Sequence, residues 1–220
     1  MLQVNEIYTA ISGESRYMGW PCTLVRLTGC HIRCSWCDSE HSFTGGQSLS
    51  VQDIVQQVRD NGFRTVLLTG GEPLLQAEVL PLMQSLIADG RRILLETSGT
   101  LMGPRALSLA DVPQGVHRVV DLKAPGSGIG SELIDWEGLA ILGSGDEIKV
   151  VCAHRQDYDW ARDLVLAGEG WASELRVSFS PVQDSLPARE LAQWILEDGL
   201  DVCFQIQLHK AVWPDVERGV

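Results

Sequence analysis

Basic residues are scarce in this chain: 17 Lys and Arg stand against 29 Asp and Glu among 220 residues, a formal net charge of −12. An acidic surface repels phosphate backbones and anionic lipid, so nucleic acid and membranes are not expected as partners. Long apolar runs are missing too. No stretch approaches the ~20 residues that cross a bilayer. The segment Met1-Leu2-Gln3-Val4-Asn5-Glu6 lacks the basic start and apolar core of a signal peptide. The expectation is a cytoplasmic protein with reduced thiols, whose six cysteines read as metal ligands or buried small residues before disulfides. Interior linkers, low-complexity tracts and internal repeats are also lacking, so residues 1–220 are expected to form a single domain.

What is present is a strand–helix alternation. Short runs rich in Val, Ile and Leu predict strands at Thr23–Leu27, Thr65–Thr69, Arg92–Glu96, Val116–Asp121, Glu147–Cys152, Leu175–Phe179 and Val202–Ile206. Most are continuous apolar runs, as in parallel strands covered on both faces. Ser50 is a plausible N-cap for a helix through Arg59, with Gly62 just past its end. Leu75–Ala88 and Leu186–Leu196 repeat apolar residues at helical spacing. Repeated βα units imply an α/β fold with a mainly parallel sheet, open or curled into a partial barrel. A complete eight-fold barrel takes about 250 residues and would be a tight fit. In such folds the working residues collect beyond the C-terminal ends of the strands. There stand Gly29-Cys30, Gly70-Gly71-Glu72-Pro73, Thr97-Ser98-Gly99, Leu122-Lys123, Ser180-Pro181 and Gln207-Leu208-His209.

Cys30-His31-Ile32-Arg33-Cys34-Ser35-Trp36-Cys37 places three thiols in one loop. Thiolates suit iron–sulfur clusters or zinc, and both kinds of closed site want four protein ligands. Three ligands leave one iron of a four-iron cluster open. Structural zinc is the alternative, with His31, His41 or a distant cysteine as fourth ligand. Cys22, Cys152 and Cys203 read as buried small residues. The five histidines show no spacing of a metal triad. Trp36, between two of the thiols, is placed to shield a cluster from solvent.

A CxxxCxxC segment followed by Gly-Gly-Glu-Pro after the next strand resembles the radical S-adenosylmethionine (SAM) superfamily. The resemblance implies a partial (β/α) barrel, a [4Fe-4S] cluster on Cys30, Cys34 and Cys37, and SAM chelating the open iron beside Gly70, Gly71 and Glu72. Further segments resemble one branch, 7-carboxy-7-deazaguanine synthase, nearly end to end. They are Asn5-Glu6-Ile7-Tyr8, Ile11-Ser12-Gly13-Glu14, Arg26, Cys37-Asp38-Ser39, Glu96-Thr97-Ser98-Gly99, Asp121-Leu122-Lys123, Ser180-Pro181 and Gln205-Ile206-Gln207-Leu208-His209-Lys210. That family converts 6-carboxy-5,6,7,8-tetrahydropterin to 7-carboxy-7-deazaguanine with loss of ammonia, a step toward queuosine and related 7-deazapurines. It uses a 5′-deoxyadenosyl radical that takes hydrogen from C6 and later returns it.

By resemblance, Ile11, Ser12, Gly13, Glu14, Arg26, Thr97, His209 and the C-terminal Val220 would contact substrate. Arg26 is the carboxylate clamp, since a guanidinium grips a carboxylate bidentately. Ser98, Gly99, Asp121, Leu122, Lys123, Ser180, Pro181, Val182 and Gln183 would line the SAM pocket. Ser39 would ligate a magnesium ion, where the family places threonine. A flavodoxin donor and a homodimer are also implied. The family more often has Gln-Gly-Glu-Gly where this chain has Ser12-Gly13-Glu14-Ser15, and Ser15 adopts positive φ less freely than glycine, so that loop is expected to differ locally. Two rivals share part of the signature. A glycyl-radical activase shares the cysteines and Gly-Gly-Glu-Pro, and a non-catalytic electron-transfer protein would need a fourth ligand.

Overall fold

The computed structural model describes all residues except Met102, Pro104, Arg105, 169–173, Glu217 and Val220. One nine-stranded sheet runs through it in the order β3-β1-β2-β4-β5-β6-β7-β8-β9. The strands are β1 Leu2–Ile11, β2 Pro21–Leu27, β3 Gln47–Leu49, β4 Thr65–Gly70, β5 Arg92–Thr97, β6 Val116–Leu122, β7 Glu147–Cys152, β8 Arg176–Pro181 and β9 Cys203–Phe204. From β2 to β9 every pairing is parallel, while β1 runs antiparallel to both β2 and β3. The helices are α1 Val51–Asn61, α2 Val79–Ala88, α3 Trp136–Leu139, α4 Arg155–Ala167, α5 Ala188–Glu197 and α6 Leu208–Val212.

The apolar runs become strands because both of their faces are covered. Val66 and Leu68 of β4, Ile93 and Leu95 of β5, Val120 and Leu122 of β6 and Ile148 of β7 join a core with Ile54, Val58, Leu82, Leu86 and Tyr158 from the helices. Each such side chain contributes ~1.5–3 kcal/mol on leaving water. The alternate residues face the concave side, where Leu24, Leu67 and Leu94 form a second small cluster with Cys22. The period of two therefore puts Arg26, Thr69 and Glu96, two residues further along each strand, on that same inner face. The sheet curls. The turn after β1 reaches across to β7, where Arg16 pairs with Glu147 and Glu14 with Lys149.

Ser50 and Asp53 form a capping box on α1, and Gly62 ends it with φ +79°. Three elements start later or are shorter than the spacing predicts. The Leu75–Ala88 pattern becomes a short 3-10 turn, Pro73–Leu75, and a helix only from Val79. Pro81 tolerates the first helical turn, but its ring would meet the carbonyl of residue 77 in a longer helix. Pro187 likewise delays α5 to Ala188. The last strand is two residues long; beyond it Gln205 N–H still reaches Phe179 O (2.9 Å), while its side chain donates to Ser15 O (2.8 Å) and accepts from Ser15 N–H (3.2 Å). The strand β1 and the helix α4 were not expected. Cys22 and Cys152 are buried in strands, whereas Cys203 is only half-buried, its sulfur 3.0 Å from Arg176 Nη2.

Candidate active site

Above the Leu24–Leu67–Leu94 layer the inner face turns polar. Arg26, Thr69, Glu96, Asp121 and Lys149, on five successive strands, line a cavity of about 780 Å³ open at the C-terminal rim. The loops at that rim bring Cys30, Cys34 and Cys37 to one side of the cavity and His209 to another.

The three-cysteine loop is tied down on both flanks. Gly29, at φ +100°, donates to Ser42 O (2.8 Å) and accepts from Glu72 N–H (2.8 Å). Ser35 donates through both N–H (2.9 Å) and Oγ (3.0 Å) to Ser127 O. Burial pushes all three thiols above the ordinary range, while Arg33 opposes this at Cys30 and Lys123 at Cys34 and Cys37. Thiolates there need a cation to bind, and three free, half-buried thiols facing a cavity fit a cluster with an open iron. Among the described residues no three His, Cys, Asp or Glu side chains are grouped as for a single metal ion.

Gly70 and Gly71 line the cavity. A Cβ at Gly71 would press on Gly29 O and lie 2.7 Å from Cys30 Cβ, so only glycine lets this turn lie against the cysteine loop. Glu72 departs from expectation, because its carboxylate turns into the protein. Oε1 accepts from Leu74 N–H (3.0 Å) and the Thr97 hydroxyl (2.7 Å), and Oε2 from Ser98 N–H (2.8 Å) and its hydroxyl (2.6 Å). With the side chain 1% exposed and four donors in place, little capacity is left for a ligand ammonium. Ser98 has given its proton to Glu72, so Thr100 must donate to Ser98 (2.7 Å) and His31 Nε2–H to Thr100 (2.8 Å). The glutamate thus organises a chain running back to the residue after Cys30. Thr97 and Ser98 line the cavity, and their hydroxyl protons are committed to Glu72. Gly99 does not line the cavity; at φ +58° it packs against Val120.

On the opposite wall, Arg26 Nε donates to Glu6 (2.6 Å) and Nη1 to Ser39 Oγ (3.4 Å), leaving Nη2 without a partner among the described residues. Ser39 donates to Asp38 Oδ1 (3.0 Å), whose other oxygen meets Gln207 and Lys210, each at 3.3 Å. Against a desolvation penalty, Lys210 and Gln207 hold the Asp38 carboxyl well below the usual carboxylate range. The His209 ring covers Gly13 so closely that no Cβ would fit there. Ile11, Gly13 and Glu14 line the cavity, whereas Ser12 is buried with its hydroxyl on Glu14 O (3.1 Å). Ser15 corrects the expectation of an altered loop: it takes the left-handed conformation, φ +70°, that glycine would favour. The Gln205 clamp and a Tyr17 N–H bond to Ser15 Oγ (3.1 Å) offset its cost.

Toward the cysteine side, Asp121 Oδ2 pairs with Lys123 (2.9 Å), and both line the cavity; Lys123 is no freely solvated strand-end charge. Leu122 lies between them with its side chain in the outer core. Ser180, Pro181, Val182 and Gln183 complete that wall. Three buried oxygens, Glu14 Oε1, Asp121 Oδ1 and Ser180 Oγ, have no partner among the described residues, as expected of acceptors reserved for a ligand. Val220 lies outside the described residues. Two residues absent from the sequence-based site, Glu96 and Lys149, line the same cavity. Burial raises the Glu96 carboxyl and nearby Glu14 adds to it, with Lys149 opposing. Burial pulls Lys149 down, but Glu14, Asp121 and Glu96 lift it well above the ordinary lysine range. One signal could have found both: charged residues inside apolar strand runs, the reasoning that singled out Arg26.

The Radical SAM superfamily pattern matches residues 24–119. The 7-carboxy-7-deazaguanine synthase of Koribacter versatilis is 42% identical over the whole of both chains. That of Chlorobaculum tepidum is 37% identical, covering 100% of this chain and 97% of the other. Among solved structures, QueE from Escherichia coli superposes with a TM-score of 0.73, covering 94% of each chain at 23% identity, which bears on the fold. SuiB of Streptococcus suis, solved bound to S-adenosylmethionine, superposes at a TM-score of 0.54 over 84% of this chain and 47% of its own, at 15% identity. This chain, with its curled parallel sheet and its three thiols beside the Gly70-Gly71 turn, belongs to the 7-carboxy-7-deazaguanine synthase family of the radical SAM superfamily.

Proposed function

We propose that this chain, as a single radical SAM core domain, converts 6-carboxy-5,6,7,8-tetrahydropterin to 7-carboxy-7-deazaguanine and ammonia. The observation that carries the reading is one cavity that joins three cluster-competent thiols to an arginine wall on its far side. Cys30, Cys34 and Cys37 would hold the [4Fe-4S] cluster and the backbone of Gly70 and Gly71 the methionyl end of SAM. Asp121, Lys123 and the Ser180–Gln183 segment would hold the adenosine. Bound there, cluster and SAM supply homolytic chemistry, a carbon-centred radical able to take hydrogen from substrate C6.

The chain's own residues bind, orient and exclude. Glu6 fixes Arg26 through Nε, which leaves the far edge of the guanidinium for the substrate carboxylate. Ser39, with Asp38 beside it, would hold the magnesium ion near that carboxylate, since magnesium favours oxygen ligands and retains waters. Glu14 Oε1 is a free acceptor for a pterin N–H. Ile11, Gly13 and His209 close over the ring, shielding a reactive intermediate from water. Loss of ammonia involves no net oxidation, so the abstracted hydrogen can return and SAM can act catalytically.

No helix among the described residues is long and apolar enough to cross a membrane. The reading extends to a cytoplasmic homodimer reduced by a flavodoxin. The test is anaerobic reconstitution with iron and sulfide, then reduction and addition of SAM, magnesium and the pterin acid. The expected outcome is 7-carboxy-7-deazaguanine by mass spectrometry, over many turnovers per SAM. SAM cleavage without deazaguanine would overturn the substrate and point to a protein partner, as for a glycyl-radical activase.

A further inference from the structure

Two buried charge clusters share strand β7, and they differ in one respect. At the closed end of the sheet, both oxygens of Glu147 are used: Oε1 by Arg16 and His117 (2.7 Å), Oε2 by Arg16 N–H (3.1 Å) and Arg176 (3.1 Å). In that cluster both carboxylate oxygens are engaged, although Arg176 Nε makes an ion pair without a hydrogen bond among the described residues. Two residues on, Lys149 is 7% exposed, its Nζ 2.5 Å from Glu14 Oε2 and 3.5 Å from Asp121 Oδ2. Here each carboxylate keeps one oxygen, Glu14 Oε1 and Asp121 Oδ1, buried and unpartnered among the described residues, and all three residues line the cavity. Glu14 comes from the turn under His209, and Asp121 from the strand end that also carries Lys123 toward Cys34. Lys149 therefore stands between two carboxylates that line the cavity, Glu14 from one element and Asp121, which also pairs with Lys123 (2.9 Å), from another.

We propose that Lys149 is a positioning residue coupling the two subsites: it aims Glu14 Oε1 at an N–H donor of the pterin and Asp121 Oδ1 at a hydroxyl of the SAM adenosine. The inference rests on the substrate reading above. Either ligand, by fixing its own carboxylate, fixes the shared ammonium and so lowers the ordering cost of the other. Linkage requires the effect to be reciprocal.

The test is equilibrium dialysis with reconstituted, unreduced enzyme, which cannot turn over. SAM affinity is measured with and without 6-carboxytetrahydropterin, then the reverse. In the wild type each ligand is expected to tighten the other by about fivefold or more. Lys149→Met is expected to weaken each ligand by roughly tenfold, as for loss of a charge-assisted contact, and to bring the coupling factor to about one. Lys149→Arg is expected to keep most of the coupling. Iron content and melting temperature report folding. Should Lys149→Met not fold, Asp121→Asn carries the test: it is expected to weaken the pterin several-fold across the cavity. Unchanged coupling in a folded Lys149→Met, or an Asp121→Asn that leaves pterin affinity untouched, overturns the proposal. A wild type that binds both ligands independently overturns it too. A wild type that binds SAM but no pterin acid shows instead that the substrate reading is wrong, and the proposal falls with it.

Discussion

Ser15 and Ser39 stand where the family resemblance implies glycine and threonine, and they differ in consequence. Ser15 bears a left-handed backbone, φ +70°, held by a single side chain, Gln205, that bonds both of its peptide groups. Gln205→Ala would leave the buried Ser15 N–H unpaired and its carbonyl with only Met18 N–H (3.1 Å) at a strained turn, at about 1–3 kcal/mol. Urea unfolding should show that loss, together with weakened pterin binding because Glu14 and Gly13 sit on the same turn. Ser39 keeps an oxygen beside Asp38 and Arg26. Lacking the branch that stiffens χ1, it holds that oxygen less firmly. Ser39→Thr is expected to lower the magnesium concentration giving half-maximal activity by roughly two- to threefold. No change in a magnesium titration would remove Ser39 from the metal site.

Among the elements, α1 is the one whose ends are written most plainly in the sequence. Ser50 and Asp53 cap each other's backbone donors, and Gly62 supplies the positive φ of the C-cap. Ser50→Ala should cost ~1 kcal/mol of stability through the lost cap. Gly62→Ala should cost a similar ~1 kcal/mol through backbone strain. Both are far from the cavity, so SAM affinity should stay at the wild-type value; a drop in it would link α1 to the site. Other boundaries were hidden by competition. The apolar spacing of Leu75–Ala88 looks helical throughout, yet Gln76 instead donates to the carbonyls of Gln3 (3.0 Å) and Thr28 (2.9 Å), and Pro81 forbids a longer helix. Strand β1 escaped notice because its middle mixes half-buried polar and apolar residues, one face lining the cavity with Glu6 and Tyr8.

For the molecule as a whole, the buried carboxylates set the response to pH. Burial resists ionisation of Glu147, but His117 and Arg16 hold its folded pKa below the ordinary value. Lys123 and Lys149 do the same for Asp121. Groups depressed in this way stabilise the fold above their unfolded pKa and lose that contribution as pH falls through the folded value. Melting temperature should therefore fall below about pH 4, and Glu147→Gln should flatten that dependence while lowering stability at neutral pH. Glu96 has the opposite sign, since burial raises its pKa and its stabilising contribution is lost as pH rises. Glu96→Gln should raise the melting temperature at neutral pH and weaken ligand binding. A lowered melting temperature would show that Lys149 already compensates the Glu96 charge.

Much of this architecture could be read from local order. Continuous apolar runs predicted the parallel strands, because burial on both faces requires them. Three cysteines in one loop, with Gly-Gly-Glu-Pro after the next strand, carried the family resemblance that implies the chemistry, since motif spacing is a local property. Tertiary structure decided what depends on residues distant in sequence. Glu72 looked like a ligand contact, yet Thr97 and Ser98, 25 and 26 positions on, take up its carboxylate. Lys149 is one charge in an apolar strand run, and only curling of the sheet set it against Glu14, 135 positions away. The physical reason is that a strand's period fixes which face a side chain points to, while the closure of the sheet determines which charge it meets.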